Sequence, residues 1–229
     1  MQKEDATELI LKTLSEKSLI KQQIYNNTLE TFKSLKKISK YLITNYKKQL
    51  KNSSNKIPLE YKDKGTYQAE LRVAGDLLIL NMHTNVFEFD KEHAIWKLPY
   101  VENNEMNSYC GIINIYNFLS DSFKYDRLND VGYLIGRIFV NKDKHYFTEG
   151  KRQLGFLYNE FENAVIDTKA LKDIIQSAIL YTLDFDLLVP PYENMQVASV
   201  AQMKQKVNKA KIQTGKRLGF KFYTDEKLT

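Results

Sequence analysis

The sequence contains very little cysteine and histidine. Its single cysteine, Cys110, rules out an internal disulfide framework, and its apolar surroundings indicate a small buried hydrophobe rather than a nucleophile. There are three histidines and no HExxH or CxxC spacing. The nearest set of candidate ligands matches no recognised metal spacing: His83, Glu88, Asp90 and His93. We therefore expect no metal and no other cofactor, and we assign no catalytic residue.

The chain also lacks a long apolar run. No stretch approaches the roughly 20 residues that a membrane-spanning helix needs. The opening stretch MQKEDATELILKTLSEK carries acids where a secretory signal would be basic, and it has no small-residue cleavage site. Hydrophobic residues still make up 43% of the chain and aromatic residues 12%, which is enough to bury a core. These features predict a folded cytoplasmic protein with no membrane partner.

Charge is distributed unevenly, although the formal net charge is only +6. Residues 1–56 carry 12 basic and 5 acidic residues, whereas residues 57–162 carry 12 and 16. Two segments are free of acids: residues 33–56, with eight lysines, and residues 204–221, with seven cations. Such segments favour an anionic partner. A lysine-rich composition also produces them without any function, and only 5 of the 34 cations are arginine, the better phosphate ligand.

Residues 4–52 contain neither proline nor glycine. Their apolar residues recur at helical intervals, which predicts one long helix, or two with a break near Asn26-Asn27, packed on the body or on a second subunit. The spacing is too irregular for a coiled coil. We expect a helical arm over residues 1–56 and an α+β domain over residues 57–229. The apolar positions of the arm include Leu11, Leu14, Ile24, Leu35, Ile38 and Leu42.

Strand patterns follow Pro58. Residues 67–73, 77–82, 85–89, 110–118, 131–140, 145–148 and 153–158 have strand character. Their short connections, including turns at 74–76 and 141–144, require mostly antiparallel pairing. Residues 164–183 and 195–212 then predict two helices, and residues 218–222 a terminal strand. The fold class is therefore α+β: an N-terminal long helix or helical arm, a largely antiparallel sheet of five to six strands, two C-terminal helices and that last strand.

Two similar basic segments, GKRQLGF at residues 150–156 and GKRLGF at residues 215–220, raise the question of a repeated anion site. Neither is a P-loop, because the glycine five residues earlier and the following Ser or Thr are both missing. Their contexts favour a hairpin turn with positive φ at Gly150 and a helix cap at Gly215. The alternative is anion contacts, if the segments converge, by Lys151, Arg152, Lys216 and Arg217.

Two arginines interrupt apolar strands. Arg72 follows Leu71, and strand alternation places Arg137 on the same face as Ile135 and Phe139. Each arginine is either an ion-paired or surface residue or a contact for a ligand anion. A bulge at the neighbouring Gly136 would re-aim the side chain. The acidic cluster of the next loop is interpreted as solvated: Asp121, Asp126 and Asp130.

Three functions remain open. The first is a non-enzymatic binding or regulatory protein that self-associates, as a dimer, through its arm and senses a small anionic ligand near Arg72, Arg137, Lys151 and Arg152. The second is sequence-nonspecific nucleic-acid binding by residues 33–56 and 204–221. The third is an unrecognised enzyme. The candidate anion or nucleic-acid contacts of the C-terminal segment are Lys204, Lys206, Lys209, Lys211, Lys216 and Arg217.

Overall fold

The computed structural model describes residues 5–50, 56–157 and 159–187, with the single residues 189, 192 and 200. It has a long N-terminal helix, a six-stranded antiparallel sheet and further helices. The α+β fold class is therefore confirmed. The predicted helix at 195–212, except for Val200, and the predicted strand at 218–222 lie outside the described residues, as does the whole segment 201–229.

The N-terminal helix runs without interruption from residue 6 to residue 49. It consists of α1 (Ala6–Thr13), a π-helical turn (Leu14–Ser18) and α2 (Leu19–Gln49). Asp5 caps its start, since the carboxylate accepts the backbone N–H of Thr7 at 3.4 Å. The break suggested near Asn26-Asn27 is absent, and the departure from α-helical geometry lies instead at the π-helical turn.

The sheet is a meander in which each strand pairs antiparallel with the strand before it. The strands are β1 (Leu59–Asp63), β2 (Gln68–Val73), β3 (Asp76–Phe87), β4 (Cys110–Leu119), β5 (Tyr133–Val140) and β6 (Tyr146–Gly150), in the order β1-β2-β3-β4-β5-β6. The predicted strands at 77–82 and 85–89 merge into β3, with a register shift between Met82 and Val86. The segment predicted as a strand from residue 153 begins instead with a one-turn helix.

Short helices connect several of the strands. A 3₁₀ turn (Ala94–Lys97), α3 (Pro99–Glu102) and a second 3₁₀ turn (Glu105–Ser108) lie between β3 and β4. α4 (Ser120–Lys124) lies between β4 and β5. After β6 come the short α5 (Gln153–Phe156) and the long α6 (Thr168–Leu183). No helix of the described residues is both long enough and apolar enough to cross a membrane.

The main core lies between one face of the sheet and the two long helices. α2 contributes Phe32, Leu35 and Leu42, all of them 0–2% exposed, to the same cluster as the sheet and α6. The predicted apolar face of α6 is buried, which confirms it: Leu171, Ile174, Ile175, Ala178, Ile179 and Thr182. The division at residue 56 stays a prediction, but the second half of the arm shares the core of the sheet.

A smaller core covers part of the opposite face of the sheet. It contains Phe139, Phe147 and Phe161, with Ile95 and Val101 from the β3–β4 connection. The rings of Phe139 and Phe147 stack with centroids 4.7 Å apart. We call the remainder of this face, over β1 to β3, the open face of the sheet. No long helix of the described residues covers it, and it lies outside the smaller core.

α1 extends beyond the core and buries none of its residues. Leu11 and Leu14, which the sequence placed in the apolar stripe, are 61% and 55% exposed. Leu9 and Ile10 are more than half exposed as well. The predicted stripe therefore packs on the body only from Ile24 onwards.

Candidate functional site

Arg72 lies on the open face of the sheet. Its neighbours Leu71 and Val73 point to the helix-covered core, so strand alternation directs the arginine to the other side. The guanidinium is half-buried. Its Nε is buried and has no hydrogen-bond partner among the described residues, a costly state for a charged donor unless another group completes it.

A pocket of about 360 Å³ surrounds Arg72. β1, β2 and the turn between them form one side, β3 lies beside them, and α4 closes the end. Leu77 and Phe123 supply apolar contact area. The charged residues of the lining are four cations and two carboxylates: Lys62, Lys64, Arg72, Lys124, Glu60 and Glu70.

The carboxylates of this pocket neutralise two of its lysines. Lys64 Nζ lies 3.3 Å from Glu70 Oε1, and Lys62 Nζ lies 3.4 Å from Glu60 Oε2. Neither Arg72 nor Lys124 forms an ion pair with a described residue. The hydrogen bond with the Tyr125 hydroxyl raises the pKa of the Lys124 ammonium, whereas the charge of Arg72 acts to lower it. The pocket therefore has an excess of positive charge that suits an anion.

Arg137 already has a protein partner. Its Nη2 donates to Glu149 Oε2, and its guanidinium lies over the Phe139 ring with Cζ 5.4 Å from the centroid. The prediction that Arg137 shares a face with Ile135 is wrong. Ile115 pairs with Gly136 while the next residue pairs with position 134, so Ile135 is the extra residue of a bulge and points into the main core. A bulge was considered at Gly136, and the structure has it at the preceding residue, Ile135.

Arg72 and Arg137 lie on the same side of the sheet, opposite the two long helices, but they do not share a site. Arg72 lies opposite Leu77, whereas Arg137 lies in the row of Asn114, Asn81 and Gln68. The two arginines are three strand spacings apart, about 14 Å, and four residues apart along the strands, about 13 Å. One small ligand cannot contact both.

Arg137 belongs to a second polar group that the sequence did not reveal. His93 Nδ1 accepts the backbone N–H of Ile95 at 3.2 Å, so the neutral ring carries its proton on Nε2. That atom lies 3.4 Å from Glu149 Oε1. The group borders an apolar pocket of about 300 Å³ that includes Phe147. No sequence pattern links His93 to Glu149, because they lie 56 positions apart.

The GKRQLGF segment is not the predicted hairpin turn. Gly150 ends β6 without a positive φ, and Arg152 instead has φ 49°. Arg152 Nη1 donates to Asp184 Oδ2 at 2.9 Å, beyond the end of α6, while Lys151 is exposed. These cations do not line the Arg72 pocket. The GKRLGF segment, with Lys216 and Arg217, lies outside the described residues, as do Lys204, Lys206, Lys209 and Lys211.

The structure also describes the surroundings of Cys110, of the candidate metal ligands and of Asp130. Cys110 is fully buried, and burial raises the pKa of its thiol, which disfavours the nucleophilic thiolate. Among the described residues no group of three or more His, Cys, Asp or Glu side chains is placed to hold a metal ion. Asp130 is not solvated as expected: its side chain is 3% exposed, pairs with Arg127 and accepts the Ser122 hydroxyl at 2.7 Å.

The turn between β5 and β6 holds a third polar cluster. Asn141 is completely buried and its Oδ1 accepts the backbone N–H groups of Asp143 and His145. Its Nδ2 donates to Tyr100 Oη at 2.9 Å, and that hydroxyl donates to Asp143 Oδ2 at 2.6 Å. Burial, with the hydrogen bond to Asp143, raises the pKa of Tyr100. Asn27 of α2 donates to the carbonyl groups of this turn, so the cluster fastens the helix to the sheet.

Comparison with known proteins adds no functional information. No protein-family model, no curated protein and no solved structure matches the chain. A function for this protein is therefore argued from its own residues.

Proposed function

We propose that the protein is a cytoplasmic, non-enzymatic binding protein that holds a small anionic ligand in the Arg72 pocket. The observation that supports this most directly is the buried Nε of Arg72, which has no hydrogen-bond partner among the described residues. A carboxylate or phosphate oxygen would complete it, because a guanidinium donates two parallel hydrogen bonds to such groups. Lys124 would supply a second positive charge.

The pocket also limits the size and character of the ligand. Its volume of about 360 Å³ falls at the lower end of the range for small-molecule sites. Leu77 and Phe123 would contact an apolar part of the ligand, while Glu60 and Glu70 would disfavour a second anionic group near their side of the pocket. A small organic acid or a monophosphate of modest size fits these features.

The test uses thermal unfolding of the full chain with inorganic phosphate and with benzoate as probes. Binding should raise the melting temperature as the probe concentration rises, because a ligand of the folded state stabilises it. Arg72→Gln should abolish the shift. Arg137→Gln is the matched control, since it removes an arginine of the same sheet face that is already paired with Glu149. A shift retained in Arg72→Gln, or lost in Arg137→Gln alone, would contradict the proposal.

We further propose that the protein self-associates as a dimer through α1. The supporting observation is a group of more than half-exposed apolar side chains on α1 and at the start of the π-helical turn, neither of which buries any of its residues: Leu9, Ile10, Leu11 and Leu14. Covering these exposed apolar side chains with a second copy of the chain removes them from water, which stabilises the dimer.

A variant chain that begins at Leu19 tests this dimer. It removes α1 and the π-helical turn, which contain no buried residue, so the body should fold unchanged. Light scattering should give a dimer for the full chain and a monomer for the shortened one. A shortening to residue 57 would be a poor test, because it also removes Phe32, Leu35 and Leu42 from the core. The same number of subunits in both proteins would refute association through α1.

A further inference from the structure

The exposed side of α2 carries a row of lysines. The helix advances about 100° per residue, and its core residues, such as Phe32 and Leu35, lie on one side. Five lysines fall within an arc of about 100° on the opposite side, and each is exposed. We call this surface the lysine face, and it consists of Lys33, Lys37, Lys40, Lys47 and Lys48.

Few acidic residues lie near the lysine face: the charge of Lys33 helps to lower the pKa of Glu30, and that of Lys40 helps to lower the pKa of Asp63. No acid occurs in the sequence between Glu30 and Glu60. Lys36, at the border of the face, pairs with Asp63 at 2.6 Å, but none of the five lysines forms an ion pair with a described residue. Their charges are therefore available to a partner.

The geometry points to double-stranded nucleic acid as that partner, and we propose that the lysine face binds its phosphates without reading the sequence. Lys33 and Lys48 are 15 residues apart, which is about 22 Å along the helix. A duplex carries about 13 phosphates over that length. Besides the lysines, the face holds Thr44 and, at its edge, Tyr41. No arginine occurs on α2, so the planar guanidinium contact with a guanine edge is absent there, and we assign the lysines to the phosphates.

The same face argues against a membrane surface. A helix that lies on a bilayer needs apolar side chains beside its cations, so that they enter the acyl boundary. The large aliphatic residues in the second half of α2 point into the main core instead: Leu35, Leu42 and Ile43. A row of lysines beside Tyr41, but without an exposed aliphatic side chain, matches a polyphosphate backbone better than it matches lipid.

The test measures the binding of the full chain to a fluorescein-labelled 20-base-pair duplex of arbitrary sequence, by anisotropy, between 50 and 200 mM salt. Five phosphate contacts give a slope of log affinity against log salt of about −4.5, and hence roughly 500-fold weaker binding across this range. The variant Lys33→Gln, Lys37→Gln, Lys40→Gln should lose about 2.7 of that slope, and its binding should weaken only about 12-fold. Glutamine is a good helix former, so the variant should fold, which circular dichroism checks.

The matched control is Lys97→Gln, Lys151→Gln, Lys172→Gln, which removes the same charge from exposed lysines on other surfaces. It should keep the slope of the wild type. Phosphatidylserine vesicles and polyglutamate of equal charge concentration serve as competing anions and should displace the duplex poorly. No binding at 50 mM salt, an equal loss of slope in both triple variants, or tighter binding to vesicles or polyglutamate would overturn the proposal.

Discussion

Gly150 and Gly155 lie so close to backbone oxygens that no side chain fits in either place. A Cβ at Gly155 would lie 2.4 Å from the Gly150 carbonyl oxygen, and a Cβ at Gly150 would lie 2.6 Å from the Ile135 carbonyl oxygen. The two glycines of GKRQLGF therefore allow α5 to fold tightly against β6. Their role is steric, and their separation by five positions is what permits the contact.

This close contact predicts that alanine destabilises the protein more at Gly150 and Gly155 than at Gly75. Gly150→Ala and Gly155→Ala should each lower the free energy of unfolding by about 1–3 kcal/mol, as overpacking does. Gly75→Ala is the control, because no atom lies within 4 Å of its added Cβ, and its effect should stay within about 0.5 kcal/mol. Urea unfolding measures all three. Equal effects would show that the close approach is not what selects glycine.

Arg152 offers a second prediction at the scale of one residue. Its φ of 49° is a conformation that favours glycine. Arg152→Gly and Arg152→Ala both lose the ion pair with Asp184, so the difference between them reports the backbone alone. We expect the glycine variant to be about 1 kcal/mol more stable than the alanine variant in urea unfolding. A more stable alanine variant would show that the backbone conformation at residue 152 does not favour glycine.

The sequence predicted Arg137 only in part, and the reason is a single extra residue. Alternation along an unbroken strand would place Ile135, Arg137 and Phe139 on one face. The bulge reverses that order at Ile135, and a bulge depends on how two strands pair, which one strand does not encode. Arg72 was one of the candidates from the sequence, but its pocket was not predicted, because Lys124 and Lys64 come from separate parts of the chain.

The N-terminal helix behaves as two different elements along its length, although it is continuous from residue 6 to residue 49. From Ile24 onwards it forms part of the core, whereas the preceding α1 is exposed. Phe32→Ala should therefore lower the free energy of unfolding by about 3–5 kcal/mol. Leu11→Ala should change that of the dilute protein by no more than about 0.5 kcal/mol. Chemical unfolding at low protein concentration compares them, and a large effect of Leu11→Ala would mean that α1 packs on its own body.

The turn between β5 and β6 predicts a dependence on pH. Burial opposes ionisation of Asp143, but the hydrogen bonds from Tyr100 and Lys142 outweigh it and lower the pKa of its carboxyl. A lowered pKa contributes stability above the ordinary value of about 4, and this contribution disappears as the pH falls through the folded-state pKa. Asp143→Asn should thus be less stable than wild type at pH 7, with the difference shrinking below pH 4. Unfolding curves at pH 7, 4 and 3 test this, and a constant difference would refute it.

Among the elements, those with a strong repeating pattern were predicted well. The apolar face of α6 recurs at three- and four-residue steps, so the helix and its buried side followed from the sequence. β1 was missed because LEYKD contains no β-branched residue and two of its side chains, Glu60 and Lys62, point to the open face. α5 was predicted as a strand, since one helical turn is too short to establish a period.

At the scale of the whole molecule, the two cores lie on opposite faces of the same sheet. The only tryptophan, Trp96, packs against the smaller core and donates its Nε1 proton to the Asp90 carbonyl at 2.8 Å. We expect its fluorescence and the far-ultraviolet circular dichroism to report one urea midpoint, because strands β4 to β6 contribute to both cores. An earlier transition in fluorescence would mean that the smaller core unfolds separately.

The order of the strands also determines how the chain can fold while it is being synthesised. Each strand pairs with the one made just before it, so a chain emerging from the ribosome adds every new strand to an edge that already exists. α2 is synthesised before the sheet, however, and no strand of the sheet covers its core residues until the first strands are complete. During that interval Phe32, Leu35 and Leu42 form the apolar face of an isolated helix, which is the kind of segment that chaperones bind.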